Sequence, residues 1–116
     1  MQDFIHTVHE EGVSVEAKEI SLAFKALSDE TRVKILTQLM EGEQCACKLM
    51  QVQKITQPTL AYHMQILCLS GLVESKRIGR WMHYALSRSG LTQAQNIVQQ
   101  YLHCTEREPF YNPSCC

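Results

Sequence analysis

The stretch Thr56-Gln57-Pro58-Thr59-Leu60-Ala61-Tyr62-His63-Met64-Gln65-Ile66-Leu67, closed by Gly71, reads as a helix with one apolar and one polar side. Thr56 offers a capping hydroxyl, and Pro58 suits a first turn whose amides have no intrahelical partner to lose. Leu60, Met64 and Leu67 recur at helical spacing, Ile66 reinforces them, and Gly71 stops the run. The outward residues read from this spacing are Gln57, Thr59, Tyr62 and His63. Glutamine can bond an adenine edge bidentately, threonine can reach a base or a phosphate, and tyrosine and histidine can contact either.

Working outward, a short helix fits Cys45 to about Val52, with Gln53 and Lys54 as the polar break before Thr56. Before it, Ser28 and Asp29 carry N-cap chemistry for a helix in which Val33, Leu36 and Met40, flanked by Ile35 and Leu39, are expected to face inward until Gly42. An earlier helix is predicted from Glu16, with Ile20, Ala23, Phe24 and Leu27 at i, i+3, i+4 and i+7. Beyond Gly71, residues 72–77 and 81–86 read as two strands joined around Ile78-Gly79-Arg80, a glycine-containing turn. A last helix carries Ala94, Ile97, Val98, Tyr101 and Leu102 on one face and glutamines on the other. The prolines at 109 and 113 make the end irregular.

The expected fold is mainly α with a small β-hairpin, a winged helix-turn-helix in the order helix-helix-helix-helix-strand-strand-helix. The expected organisation is an N-terminal arm (1–15), a DNA-binding and dimerisation domain (16–105), and a C-terminal tail (106–116) bearing a cysteine pair. A chain of 116 residues with 45% apolar content supports one core and not two.

No apolar run approaches the roughly 18 residues that would span a bilayer, and the N-terminus carries Asp3, Glu10 and Glu11 where a signal peptide would be basic. A cytoplasmic protein with no membrane partner is expected. Six cysteines in such a compartment point to metal binding or redox sensing, not to a disulfide framework. The net charge of −1 hides a basic middle. Between residues 44 and 90, Lys48, Lys54, Lys76, Arg77, Arg80 and Arg88 face only Glu74, the footprint of a polyanion site.

The stretches Ala26 to Leu36, Cys45-Ala46-Cys47-Lys48-Leu49, Thr56 to Met64, Ser70 to Val73 and Gly79 to Tyr84 together resemble the ArsR/SmtB family of metal-responsive repressors. The likeness covers roughly residues 20–105, and its arsenic-sensing branch is the nearest. It implies a homodimer held by the first and last helices on an inverted-repeat operator in double-stranded DNA. It further implies DNA contacts from Thr56, Gln57, Thr59, Tyr62 and His63, with Lys76, Arg77 and Arg80 of the hairpin reaching phosphates or a minor groove. Ala61 and Tyr62 depart from the family's usual serine and arginine, which leaves the operator sequence open.

The resemblance makes Cys45 and Cys47 metal ligands. Met50 stands where the arsenic branch has a third cysteine, so Cys116 or Cys115, from the same or the partner subunit, is the expected completion. The arm offers His6 and His9 in place of the cadmium branch's cysteines. The last helix has Gln93, Gln95, Asn96 and Gln99, with only His103, where the zinc branch has ligands. Thiolates select soft or borderline ions, so arsenite or antimonite is the expected inducer, with cadmium, lead or zinc as alternatives.

Residues two apart do not share a helix face, so the pair is expected to grip an ion only by distorting the helix start. Cys68, among Ile66, Leu67 and Leu69, is expected to pack. Cys104 is the alternative thiol, for a redox or persulfide-sensing disulfide with Cys45 or Cys47, although Thr37 occupies the position of the redox branch's other cysteine. Enzyme chemistry is not expected: the chain lacks Cys-x-x-Cys in a strand-helix setting and any phosphate-cradling glycine loop. The expected role is a repressor of arsenic resistance genes, released from DNA when its thiolates bind trivalent arsenic or antimony.

Overall fold

A computed structural model describes residues 15–104 of the chain. Five helices and three strands follow one another: α1 (Val15–Leu27), α2 (Glu30–Leu39), β1 (Gln44–Cys45), α3 (Ala46–Gln53), α4 (Gln57–Leu69), β2 (Val73–Ile78), β3 (Trp81–Leu86) and α5 (Arg88–Cys104). The hairpin expected from the sequence is present, but it is part of a three-stranded antiparallel sheet in the order β1-β3-β2. Gln44 pairs with Tyr84 and Cys45 with His83, so Cys45 opens α3 from a strand and does not lie within the helix. A two-residue strand has no periodicity to read. Its pairing comes from a partner some 40 residues further along, which a local pattern cannot report.

Local signals set the element ends. Asp29 accepts the Arg32 amide through Oδ2 at 3.1 Å, and Thr56 caps α4 by accepting the Thr59 amide. The β2–β3 turn is the two-residue loop Gly79-Arg80 between paired Ile78 and Trp81, with Gly79 at φ 64°. A positive φ at the first loop residue alone matches the hairpin turn whose twist follows that of the strands. Ser87 caps α5 by accepting the Gly90 amide on its hydroxyl.

The core gathers Ala26, Ile35, Leu39, Leu49, Leu60, Met64, Leu67, Leu72, Val73 and Tyr84 from one face of the sheet and four helices. Leu60, Met64 and Leu67 turn inward as expected. In α2 the expected inward set is corrected: Ile35 and Leu39 are sealed, whereas Val33 and Met40 are exposed. Two overlapping stripes run along this helix, and only packing against α3, α4 and β3 selects between them. The α1 stripe also divides, because Ala23 and Ala26 enter the core while Phe24 and Leu27 stay exposed. In α5, Ile97 packs inward, and Val98, Tyr101 and Leu102 remain outside. No helix of the described residues is long and apolar enough to cross a membrane.

Candidate DNA-reading head and thiol site

Helix α3, a tight bend at Lys54 to Thr56, and α4 form the helix-turn-helix. Lys54 closes α3 in the left-handed region at φ 57°, donating its amide to the Met50 carbonyl, and Ile55 donates to the same oxygen. The chain thereby changes direction within three residues, and α4 emerges with Gln57, Thr59, Tyr62 and Gln65 exposed. Thr56 is exposed as well, though its hydroxyl already serves the cap and lies 3.1 Å from the Thr59 hydroxyl.

His63 does not belong to the outward set and is corrected here: it is buried at 8% exposure. Its Nδ1 accepts from Arg32 Nη1 at 3.0 Å and lies 3.8 Å from Asp29 Oδ2. Arg32, itself only 5% exposed, also donates through Nε to the Ala26 carbonyl and through Nη2 to the Lys25 carbonyl. One guanidinium thus satisfies the C-terminal carbonyls of α1 and pins α4 through His63. The five-donor fork of arginine suits this geometry, and a point charge would not. The Arg32 amide, accepted at the cap, holds the Asp29 carboxyl below the ordinary carboxylate value, with the Arg32 guanidinium charge adding to the effect. Sequence reasoning missed this cluster. Its only trace was an arginine one turn after an N-cap on an otherwise apolar side.

On the wing, Lys76, Arg77 and Arg80 are all exposed. The register separates them: Lys76 lies opposite His83, Arg77 opposite Met82, and Arg80 sits in the turn. Lys76 and Arg77 therefore project from opposite faces of the ribbon, with Arg80 at its tip.

The thiol site lies at the junction of β1 and α3. Cys45 is the N-cap of α3, with extended backbone at φ −78° and ψ 156°, and Cys47 is the second residue of the helix. Their sulfurs are joined in a disulfide, with Cα atoms 5.4 Å apart. The expectation that the pair grips an ion only by distorting the helix start placed both cysteines within the helix, whereas Cys45 precedes it. With Cys45 outside the helix, the i, i+2 pair converges on a regular first turn.

Lys76, His83 and Cys45 stand in one row across the three strands, and His83 Nδ1 lies 3.1 Å from the Glu43 carboxylate. Gln44, buried beside Cys45, donates to the Gln38 carbonyl at 2.8 Å. Gln38 in turn bonds Gln44 and Gln53 through its side chain. The strand carrying Cys45 is thus tied to the end of α2 and the end of α3.

Among the described residues, no three His, Cys, Asp or Glu side chains are gathered to hold an ion. Cys115 and Cys116, the expected completing ligands, lie outside the described residues, and Cys104 is the last residue of α5. Cys45 pairs with Cys47, not with Cys104. Cys68 is half-buried against the core as expected, and burial pushes its thiol up, partly offset by a hydrogen bond from Ser75.

Residues 29–75 match the family model described as bacterial regulatory protein, arsR family. The chain is similar to the arsenical resistance operon repressor of Escherichia coli K12, 36% identical over 73% of this chain and 74% of that one. It is similar to that of Staphylococcus aureus, 40% identical over 70% and 81%. A cadmium resistance regulatory protein of Staphylococcus aureus, a CadC homolog, is 32% identical over 76% and 72%. Among solved structures, an ArsR-like regulator from Rhodococcus sp. RHA1 superposes with a TM-score of 0.70 at 32% identity, covering 78% of this chain and 86% of that one. A homodimeric winged helix-turn-helix domain from Mycobacterium bovis superposes at 0.62 and 23% identity, over 82% and 90%, a likeness of fold. With the helix-turn-helix, the wing and these relatives in place, the chain belongs to the ArsR family of winged helix-turn-helix transcriptional regulators.

Proposed function

We propose that the chain is a homodimeric repressor that leaves its operator when Cys45 and Cys47, with Cys115 or Cys116, bind trivalent arsenic or antimony, and that it controls arsenic resistance genes. The observation that carries this reading is the convergence of two sulfurs at the first turn of α3, the helix that immediately precedes the reading helix. Cysteine sulfur is the donor that trivalent arsenic takes, and a third cysteine from the tail would complete its preferred number. All four thiols together would instead suit cadmium or zinc, the complement favoured if the cadmium-resistance relative is the better guide.

In this reading Gln57, Thr59 and Tyr62 face the major groove, and Thr56 sits at the end of α4 nearest the backbone. Lys76, Arg77 and Arg80 reach phosphate. Phe24 and Leu27 of α1, with Leu91, Val98 and Tyr101 of α5, supply the exposed apolar surface for dimerisation. A twofold dimer would present its two α4 helices to half-sites about 34–36 Å apart.

Communication between the sites is short. Cys45 is held by Gln44 to α2 and by its cap position to α3, and Leu49 of α3 packs in one core with Leu60 and Met64 of α4. A new ligand demand on Cys45 and Cys47 is therefore felt by the α3–α4 pair. A coupling of about 1–3 kcal/mol would lower DNA affinity by roughly 5- to 150-fold.

The test is fluorescence anisotropy of the reduced full chain on an inverted-repeat DNA from upstream of its own gene, titrated with arsenite, antimonite, cadmium and zinc. Arsenite is expected to release the DNA, and Cys45→Ser and Cys47→Ser are expected to bind DNA but stay bound under arsenite. A reduced wild-type protein indifferent to arsenite and antimonite would overturn the inducer assignment.

A further inference from the structure

The bond between Cys45 and Cys47 has a local cause. A side chain at an N-cap normally turns back over the helix start, where an oxygen would accept the amide two or three residues on. Cys45 makes no such cap hydrogen bond. Its sulfur instead meets the side chain of the residue two further on, Cys47, and the Cα separation of 5.4 Å lies within the roughly 4.4–6.8 Å that a disulfide bridges without backbone movement.

The bond is poorly explained as a staple. It closes over a single intervening residue, and the shortest loops constrain the unfolded chain least. Nor does it disturb the reading head. With the bond closed, α3 is regular from Ala46, Leu49 is sealed in the core, and α4 keeps its Thr56 cap and its Arg32–His63 tether.

We propose that Cys45 and Cys47 are a reversible thiol-oxidation site for low-molecular-weight disulfides, and that the closed form binds DNA but is blind to the inducer. This rests on the reading that the same two thiolates hold the inducer, since sulfurs bonded to each other have no thiolate to give. The co-reactant is a disulfide such as oxidised glutathione. One cysteine, as thiolate, attacks a sulfur of the reagent and expels one thiolate. The other cysteine attacks the resulting mixed disulfide and expels the second. Two protein thiols and one reagent disulfide thus become one protein disulfide and two reagent thiols. Two electrons pass to the reagent, and the two thiol protons end on its leaving sulfurs. The operator would then stay repressed under oxidation even with inducer present.

The experiment treats the full chain with oxidised glutathione, removes the reagent, and measures mass, peptide-mapped disulfides, and anisotropy on operator DNA with and without arsenite. Expected are a loss of two hydrogens mapped to Cys45–Cys47 and DNA affinity close to that of the reduced protein. The arsenite response is expected to vanish and to return after phosphine reduction. A variant retaining only Cys45 and Cys47 should lose the same two hydrogens, which separates this pair from one involving Cys68, Cys104 or the tail. A bond mapped elsewhere, an oxidised protein still released by arsenite, or one that has lost DNA by oxidation alone would each overturn the proposal. If the bond forms as described but the reduced protein ignores arsenite, it is the inducer reading that fails, and inducer blindness falls with it.

Discussion

At the residue scale the reading helix is held by one buried cation. Arg32 serves two α1 carbonyls and His63 at once, so Arg32→Ala takes this donor from the Ala26 carbonyl and from His63, while the Lys25 carbonyl keeps its bonds from Ser28. Each charge-assisted hydrogen bond is worth about 1.5–3 kcal/mol, and a loss of at least that size is expected in chemical unfolding, with weaker DNA binding as α4 loosens. Arg32→Lys should rescue only part of both losses, because an ammonium cannot reproduce the fork. A lysine variant indistinguishable from wild type would show that the fork contributes nothing.

Asp29 gives a pH signature. Its carboxyl is depressed in the folded chain, so its charge contributes stability that is present above the unfolded value of 3.8 and lost as pH falls through the lower folded value. The gap in thermal midpoint between wild type and Asp29→Asn is therefore expected to be fullest near neutrality and to shrink as pH drops below about 4. A gap unchanged by acid would remove the charge from the account.

At the element scale the placement of α5 depends on two small residues. Ser87 accepts the Gly90 amide and donates its own amide to the Leu72 carbonyl. Gly90 lies directly against the Gly71 carbonyl, where a Cβ would collide with backbone. Ser87→Ala should cost about 1 kcal/mol, as the loss of an N-cap does. Gly90→Ala forces the end of α4 and the start of α5 apart and should cost about 1–3 kcal/mol in urea unfolding. Equal stability of Gly90→Ala and wild type would contradict the close approach. The sequence signalled neither role, because Ser-Gly-Leu before a helix reads as an ordinary start, and the partner Gly71 stands on another element.

For the whole molecule, the apolar residues exposed on the single chain include Phe24 and Leu27 of α1 and Leu91, Val98 and Tyr101 of α5. In the dimeric reading, Val98→Glu with Tyr101→Glu should yield a monomer in sedimentation. Operator affinity should fall about a hundredfold or more as bivalent contact is lost. A dimer that survives both changes would relocate the interface. Arg80 belongs to the same scale, since it acts through the field at the wing tip. Arg80→Ala should weaken binding to all DNA sequences alike and reduce the salt slope by about one unit per protomer. An unchanged slope would remove its phosphate contact.

The sequence by itself determined the number and kind of helices, the wing, the ends of α2 and α4, and the place of Cys45 and Cys47 at the start of α3. These follow from signals within a few residues: helical spacing of Leu60, Met64 and Leu67, capping by Asp29 and Thr56, and the turn glycine at 79. The tertiary structure alone decided which of two overlapping stripes in α2 is sealed, that His63 turns inward to Arg32, and that Gln44 and Cys45 join the sheet. Each depends on a partner distant in the chain, and burial is settled only when those partners meet. The thiol pair lies between the two cases. Its spacing was legible, but the cap geometry that lets its sulfurs meet on a regular helix arises where β1, paired to β3, hands the chain to α3.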